Sequence, residues 1–319
     1  MALNNNEQTP FISIVIPTYN RAALLCECIK SVMRLEYPKD AFEIIVVDDG
    51  STDGSEECLE RMLPESRGKI KYLREITNRG VAAARNRGFA AAKGEIIACL
   101  DDDCRAQKDW LKNIIATLAL YPDAAAVGGS VINATESPLA WASYIIEFSS
   151  WFPVGGTKRV KDIPGCNIAY RKKDIAGNRF PEEFKGSVGE DTLFNYNLIN
   201  KGKVIIFNPK IKVFHCKWGY DFTKEDFYKT QKKYALSFVR GGYKIFGTWG
   251  NIFMKYRVLN LFCLRIILVF LRCLRSKKYL LEFVRNFKLI LLGEWRRNKL
   301  IYEYSAVVSQ REVTSLRGL

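Results

Sequence analysis

Short runs of β-branched and other apolar residues alternate with amphipathic segments through the first 132 residues. The apolar runs predict buried strands, and the segments between them predict helices with one apolar face. The predicted strands are 11–17, 42–47, 69–73, 95–100 and 124–132, and the predicted helices are 21–35, 53–63, 80–92 and 108–120. Because nearly all-apolar strands alternating with helices form a mostly parallel sheet covered on both faces, we expect a Rossmann-like α/β fold.

The alternation stops at residues 133–164. This stretch carries five aromatic side chains and a Gly-Gly pair at 155–156, and it shows no clear period. It is interpreted as a long loop or lid.

Carboxylates follow two of the predicted strands directly, as Asp48-Asp49 and Asp101-Asp102-Asp103. Ligands bind parallel sheets at the carboxyl ends of their strands. Three adjacent carboxylates repel one another unless a cation is present, and Mg²⁺ or Mn²⁺ bridging to a diphosphate fits them. The alternatives are a solvated acidic turn at 101–103 and a helix-capping turn at 48–49. Two acidic strand ends in one sheet favour the metal.

Five segments in this order resemble a family 2 glycosyltransferase with the GT-A fold. They are SIVIPTYNR (13–21), IIVVDDGSTD (44–53), NRGVAAARNRG (78–88), GEIIACLDDD (94–103) and GEDTLFNYNLINKG (189–202). The resemblance spans roughly residues 11–216. It implies transfer of a sugar from a nucleotide-diphosphate sugar, by family habit a UDP-sugar, to an acceptor with inversion at the anomeric carbon.

By position, the resemblance places a set of residues around the donor. They are Pro17, Thr18 and Tyr19 at the base pocket with Arg21 beside them, Asp49 on the base, and Asn78 and Arg85 beside the nucleotide and its phosphates. Asp101 and Asp103 form the DxD motif, with Asp101 toward the ribose and Asp103 on a Mg²⁺ or Mn²⁺ ion. Asp102 departs from the small residue often found between them, so it could share the metal.

The resemblance also implies a catalytic base, Asp191 of the pair Glu190-Asp191. A carboxylate in reach of the acceptor hydroxyl can take its proton during attack. The alternative for the pair is an acidic helix start. Cys166 and Asn167 belong to a segment similar to one that lines acceptor pockets, so we expect them to face the substrate. His215, the single histidine, is either a metal ligand or a hydrogen-bonded structural residue.

The charge of the chain is uneven. Residues 1–216 hold 28 Lys and Arg against 27 Asp and Glu, whereas 217–319 hold 21 against 7. We therefore expect a catalytic domain over 1–216, with a nucleotide-sugar half at about 11–132 and an acceptor half at about 133–216. The remainder, 217–319, is expected to be a basic, amphipathic helical region.

The segment 255–299 alternates apolar clusters with Lys and Arg, and places Arg265, Arg272 and Arg275 near one helical face. Such a pattern is typical of a helix lying in the plane of a membrane surface. Packing on the catalytic domain or on a second subunit, as in a homodimer, is the alternative. Nucleic-acid binding is disfavoured, because no binding motif appears and the strand ends are acidic.

Processive synthases of this family carry a Gln/Arg-x-x-Arg-Trp motif, and residues 231–234 lack its Arg-Trp. Single-sugar transfer is therefore preferred.

No secretory signal is visible, and the nine cysteines are interpreted as reduced thiols of a cytosolic protein. The sequence thus predicts a peripheral enzyme on the inner face of the cell membrane that acts on a saccharide or lipid-linked acceptor in polysaccharide, lipopolysaccharide or glycolipid synthesis. A processive synthase subunit and a non-catalytic basic scaffold stay as alternatives.

Overall fold

The computed structural model describes residues 9–66, 68–184, 189–216 and 222–308. The chain divides into two compact units. The first unit comprises Met1–Ala134, Gly155–Lys185 and Glu190–Lys217, and the second comprises Thr135–Val154, Gly186–Gly189 and Trp218–Leu319. The last change of unit lies close to the predicted boundary at 216/217, but residues 135–154 belong with the C-terminal helices.

The described residues form one sheet and a series of helices. The strands are β1 (Ile12–Thr18), β2 (Phe42–Asp48), β3 (Ile70–Arg74), β4 (Ile96–Leu100), β5 (Cys104–Ala106), β6 (Ala124–Asn133), β7 (Lys158–Val160), β8 (Asn167–Arg171) and β9 (Val204–His215). The helices are α1 (Ala22–Met33), α2 (Ser55–Ser66), α3 (Val81–Ala91), α4 (Trp110–Leu120), α5 (Pro138–Phe148), α6 (Glu190–Asn200), α7 (Lys224–Cys273), α8 (Lys277–Arg285) and α9 (Phe287–Val308).

The sheet of the first unit has the order β3-β2-β1-β4-β8-β6-β9-β5, with β7 also paired to β9. Strands β1 to β4 pair parallel with one another, whereas β8 runs antiparallel to both β4 and β6. The predicted α/β fold is confirmed, but the sheet is mixed rather than mostly parallel. The parallel half brings the ends of β1, β2 and β4 to one edge, where the acidic residues lie.

Asn167, at the start of β8, is part of the core. Its Oδ1 accepts from Trp110 Nε1 at 2.8 Å, and its Nδ2 donates to the carbonyls of Ser130 at 2.9 Å and Ile211 at 3.0 Å. The side chain is fully buried, as is that of neighbouring Cys166. A buried amide needs such partners. The prediction that Cys166 and Asn167 face a substrate is therefore wrong.

The stretch 133–164 is not the predicted loop. It contains α5, whose first turn is capped by Ser137 accepting from the Ala140 backbone N–H at 3.1 Å, with Pro138 following. Four of the five aromatic residues that suggested a lid are buried in the second unit: Trp141, Tyr144, Phe148 and Phe152. Tyr144 packs on Phe152 with ring centres 5.3 Å apart, and Phe152 stacks on Tyr279 at 4.0 Å. The Ser-Pro helix start was the available sequence signal.

The second unit is helical, as predicted for the basic region. Its longest helix, α7, begins with a capping box formed by Thr223 and Asp226. Arg265 makes a bidentate ion pair of 2.8 and 2.9 Å with the fully buried Glu294, and Arg272 donates to Ser149 Oγ at 3.2 Å. The predicted common face of three arginines thus has two members engaged inside the unit. Among the described residues, no helix has an apolar stretch long enough to cross a membrane.

The cysteines differ from the expectation that all nine are reduced. Cys26 of α1 and Cys58 of α2 are joined by a disulfide, with their Cα atoms 6.3 Å apart. The bond crosslinks two neighbouring helices of the first unit. Burial raises the pKa of the Cys28, Cys99 and Cys104 thiols, so these three carry their protons at neutral pH.

Candidate active site

The loop after β1 contacts the acidic end of β4. The Thr18 hydroxyl donates to Asp102 Oδ2 at 2.8 Å, and Arg21 Nη1 lies 2.9 Å from Asp102 Oδ1 and 3.0 Å from Asp103 Oδ2. Burial raises the pKa of Asp102 to about 7, against the opposing charge of Arg21. Both oxygens of Asp102 thus have protein partners, so its side chain ties the β1 loop to the β4 end.

Pairing of β5 with β9 brings Asp103 and His215 together. The two strands are antiparallel, with Cys104 opposite His215, and His215 Nε2 lies 3.6 Å from Asp103 Oδ1. One ligand atom from each of Asp103, Cys104 and His215 lies within 4.8 Å of the others. Because Cys104 is a neutral thiol, it is a poor ligand for Mg²⁺ or Mn²⁺. The carboxylate and the imidazole fit such an ion, and Arg21 already places positive charge against Asp103.

Arg85 joins the first and last predicted motifs. This side chain of α3 is 2% exposed; its Nη2 lies 2.8 Å from Asp101 Oδ1, and its Nη1 lies 2.5 Å from Glu190 Oε1. A side chain at Gly165 would place its Cβ 2.8 Å from Arg85 Nη2, so glycine makes room for the guanidinium. Arg85 thus bridges two carboxylates, and its place beside the donor phosphates stays a prediction.

Glu190 and Asp191 open α6, as the alternative interpretation of a helix start expected. Glu190 is buried, whereas Asp191 is partly exposed. Asp191 Oδ2 accepts from the Gly165 backbone N–H at 2.7 Å, and its Oδ1 accepts from the Thr192 N–H at 2.8 Å. Asp191 is therefore the member of the pair that is open to solvent.

A further carboxylate, Asp162, lies beside this helix start. It accepts from the Thr192 hydroxyl at 2.8 Å and from Asn195 Nδ2 at 2.7 Å. Burial and then the charge of Asp191 raise the pKa of Asp162 to about 6. Sequence reasoning missed Asp162, because it belongs to no motif and lies 29 residues before Asp191.

The two aspartates at the end of β2 accept hydrogen bonds mainly from backbone N–H groups. Asp49 accepts from the N–H groups of Arg79 and Gly80, both at 2.7 Å, and so holds the start of α3. Asp48 accepts from the Ser51 N–H at 2.8 Å and from the Tyr72 hydroxyl at 2.6 Å. These contacts are the ones expected from the alternative interpretation, a helix-capping turn at Asp48-Asp49. A bond from Asp49 to a nucleotide base stays a prediction.

The remaining predicted donor residues surround the same strand ends. Pro17 and Thr18 are buried, Tyr19 is 44% exposed, and Asn78 lies half-buried just before α3. Asn20, which was not predicted, has a φ of 51° and joins two loops. Its side-chain oxygen accepts from the Thr52 N–H at 2.8 Å, and its own N–H donates to Ser51 Oγ at 2.9 Å.

Glu190 gives a testable pH dependence. Burial, and then the charge of Asp191, raise the pKa of Glu190 from 4.5 to about 7 despite Arg85. The folded state thus holds this proton at higher pH than the unfolded state, and the stability contribution of the group falls as pH rises from about 4.5 to 7. We expect urea denaturation of Glu190→Gln to show a flatter pH dependence than wild type there. Equal slopes would contradict the raised pKa.

Residues 13–181, just over half of the chain, match the family model described as Glycosyl transferase family 2. The chain belongs to this family. The match contains the β1 loop, both acidic strand ends and Arg85, and it stops before Glu190-Asp191.

Curated relatives align with only part of their own length. Glycosyltransferase AglE of Haloferax volcanii is 37% identical over 34% of this chain and 36% of its own. The probable glycosyltransferase YdaM of Bacillus subtilis is 29% identical over 64% of this chain and 50% of its own. TarS of Staphylococcus aureus, a poly(ribitol-phosphate) β-N-acetylglucosaminyltransferase, is 26% identical over 70% and 40%. The chain thus spans half or less of each of these proteins.

Solved structures share the fold across nearly the whole chain. The mannosyltransferase PcManGT of Pyrobaculum calidifontis, in complex with GDP-Man and Mn²⁺, superposes with a TM-score of 0.61 at 18% identity and covers 96% of this chain and 88% of its own. A structure of TarS residues 1–349 with UDP gives 0.53 at 20% identity, covering 94% and 90%. These likenesses confirm the predicted GT-A fold of this chain.

Proposed function

We propose that this glycosyltransferase moves a single sugar, with inversion, from a nucleotide-diphosphate sugar to a lipid-linked saccharide acceptor. The observation that carries the proposal is the buried bridge Asp101–Arg85–Glu190. It joins the donor motif at the end of β4 to the start of α6, where Asp191 is partly exposed. A base and a donor site held by one rigid network suit direct displacement between two bound substrates.

In this mechanism Asp191 accepts the proton of the acceptor hydroxyl as its oxygen forms a bond to the anomeric carbon. The bond from that carbon to the diphosphate oxygen breaks on the opposite face, and its electron pair leaves with the nucleoside diphosphate. The Gly165 N–H fixes the orientation of Asp191 by donating to Oδ2. The role of Glu190 is to keep Arg85, and through it Asp101, in place.

A divalent ion fits this reaction, since the leaving diphosphate needs a counter-charge. We propose Asp103 and His215 as the residues that would hold Mg²⁺ or Mn²⁺, with Asp101 turned toward the donor ribose. The geometry of Asp103 and His215 supports this, and PcManGT and GalNAc-T7 were both crystallised with Mn²⁺. When bound, the ion stabilises the charge that develops on the diphosphate.

The acceptor class rests on relatives. One curated relative from Methanococcus voltae transfers a sugar to dolichyl N-acetyl-α-D-glucosaminyl phosphate, and TarS modifies poly(ribitol-phosphate). Both acceptors carry phosphate and are much larger than a free sugar. A lipid-linked acceptor implies that the enzyme works at a membrane, and we propose the inner face of the cell membrane.

Calorimetric titration tests the donor site. The full chain is titrated with UDP, GDP and CDP, each with Mn²⁺ and with EDTA. We expect one nucleotide, UDP by family habit, to bind with Mn²⁺ and to lose at least about tenfold in affinity with EDTA. Asp103→Asn should reproduce the EDTA result, whereas Asp123→Asn, at an exposed ion pair with Arg159, should not. Equal affinity in EDTA would refute the metal, and no binding would refute the donor site.

A further inference from the structure

The end of α7 exposes a stripe of large apolar side chains. Leu264, Ile267, Leu271 and Leu274 are 49–53% exposed, each well above an ordinary partly buried position. Their spacing of three, four and three residues places them on one face of the helix. Contiguous exposed apolar patches on a soluble surface mark interaction sites. We therefore infer that this stripe contacts a binding partner.

A second exposed apolar stripe on α8 and α9 adjoins the first. Val284 and Phe287 are 63% and 39% exposed. The buried ring of Phe283 joins the stripes, because it lies 5.5 Å from the ring of Phe270 on α7 and 5.4 Å from that of Phe287. The two stripes thus form one continuous apolar surface.

Positive charge borders this surface. Residues 262–300 contain ten Lys and Arg but only two acids, Glu282 and Glu294. Both acids already have arginine partners, Arg285 and Arg265 respectively. Three cations of this stretch are exposed and have neither an ion pair nor a ring contact among the described residues: Arg275, Lys277 and Lys288.

We propose that this surface binds an anionic phospholipid bilayer. We name it the lipid face and define it by its apolar residues Leu264, Ile267, Leu271, Leu274, Val284 and Phe287 and its cations Arg275, Lys277 and Lys288. Apolar side chains enter the acyl boundary while the cations stay with the headgroups. A second copy of the chain is disfavoured as the occupant, since it would bring like charges together. Nucleic acid would attract the cations but leave the apolar stripes in water.

Vesicle sedimentation of the full chain tests the charges. We expect binding to phosphatidylcholine vesicles that contain phosphatidylglycerol, little binding to phosphatidylcholine alone, and weaker binding in high salt. Lys277→Gln with Lys288→Gln should lower the partition coefficient by about thirtyfold, about fivefold for each charge. Lys93→Gln with Lys173→Gln removes the same charge from exposed positions of the first unit and should leave binding unchanged. Equal losses in both pairs would overturn the proposal.

Ile267→Gln with Leu271→Gln tests the apolar part. Both side chains are exposed, so folding should be unaffected while vesicle binding falls at least about tenfold. Sedimentation velocity without lipid tests the alternative that this surface is a dimer interface. A wild-type dimer that this pair of substitutions dissociates, with no binding to anionic vesicles, would overturn the proposal. Vesicle binding needs no sugar transfer, and titration of the same samples with nucleotide keeps a failure of the lipid face distinct from a failure of the donor site.

Discussion

Asp191→Asn is expected to lower kcat for sugar transfer by roughly 10²–10⁴-fold, the usual contribution of a general base. The amide cannot take the acceptor proton, yet it is nearly the same size and can still accept the Gly165 N–H. Nucleotide affinity measured by calorimetry should change by less than about threefold. Initial rates with saturating donor give kcat directly. Near-normal turnover would show that another group is the base.

The adjacent Glu190 supplies the matched comparison for this experiment. Its side chain is buried against Arg85, so Glu190→Gln should act through the stability and alignment of the network rather than through proton transfer. We expect the pH–rate profile of Glu190→Gln to keep its shape, whereas Asp191→Asn should lose the acid limb. The reverse pattern would assign the base to Glu190.

Arg85→Met is expected to lower the free energy of unfolding by about 3–5 kcal/mol, the cost of breaking a buried ion pair. Met fills a similar volume but leaves Asp101 and the buried Glu190 without their shared cation. Arg87→Met is the control, because Arg87 lies on the same helix and its ion pair with Glu75 is partly exposed, with 37% and 19% of the two side chains open to solvent. That control should cost less than about 1 kcal/mol. Urea denaturation at neutral pH measures both.

A double substitution identifies the mechanism of that loss. If the cost comes from unpaired charge, Glu190→Gln should restore part of the stability of Arg85→Met, because one of the two stranded carboxylates is removed. Additive losses would instead mean that Arg85 stabilises the fold through packing, for example over the Phe180 ring 5.6 Å from its guanidinium carbon.

The elements of the first unit could be predicted from sequence because their signals are local. Strands such as β1 and β4 are wholly buried apolar runs, and their observed bounds differ from the predicted ones by a residue or so. The helix α5 was missed because its aromatic residues are buried on nearly every side, which removes the helical period from the sequence. Its partner Tyr279 lies more than a hundred residues later.

The site was predicted as a set of residue types, and its contacts were not. In the structure, Asp103 lies near His215 and Arg85 lies near Asp101, and all four belong to the predicted set. The motifs could not show that both terminal nitrogens of Arg85 contact carboxylates. They also could not show that Arg265 pairs with Glu294 rather than lying on a membrane face. Such pairings depend on side chains far apart in the chain, and no local pattern encodes them.

The β5–β9 pairing has a consequence for how the protein is made. Strands β1 to β4 pair with one another within the first hundred residues, so this part of the sheet can form while the ribosome is still translating the rest. In the described sheet β5 pairs only with β9, which emerges about a hundred residues later. Asp103 and His215 therefore meet late in synthesis, and the nascent chain brings these two proposed metal ligands together only after most of the sheet is complete.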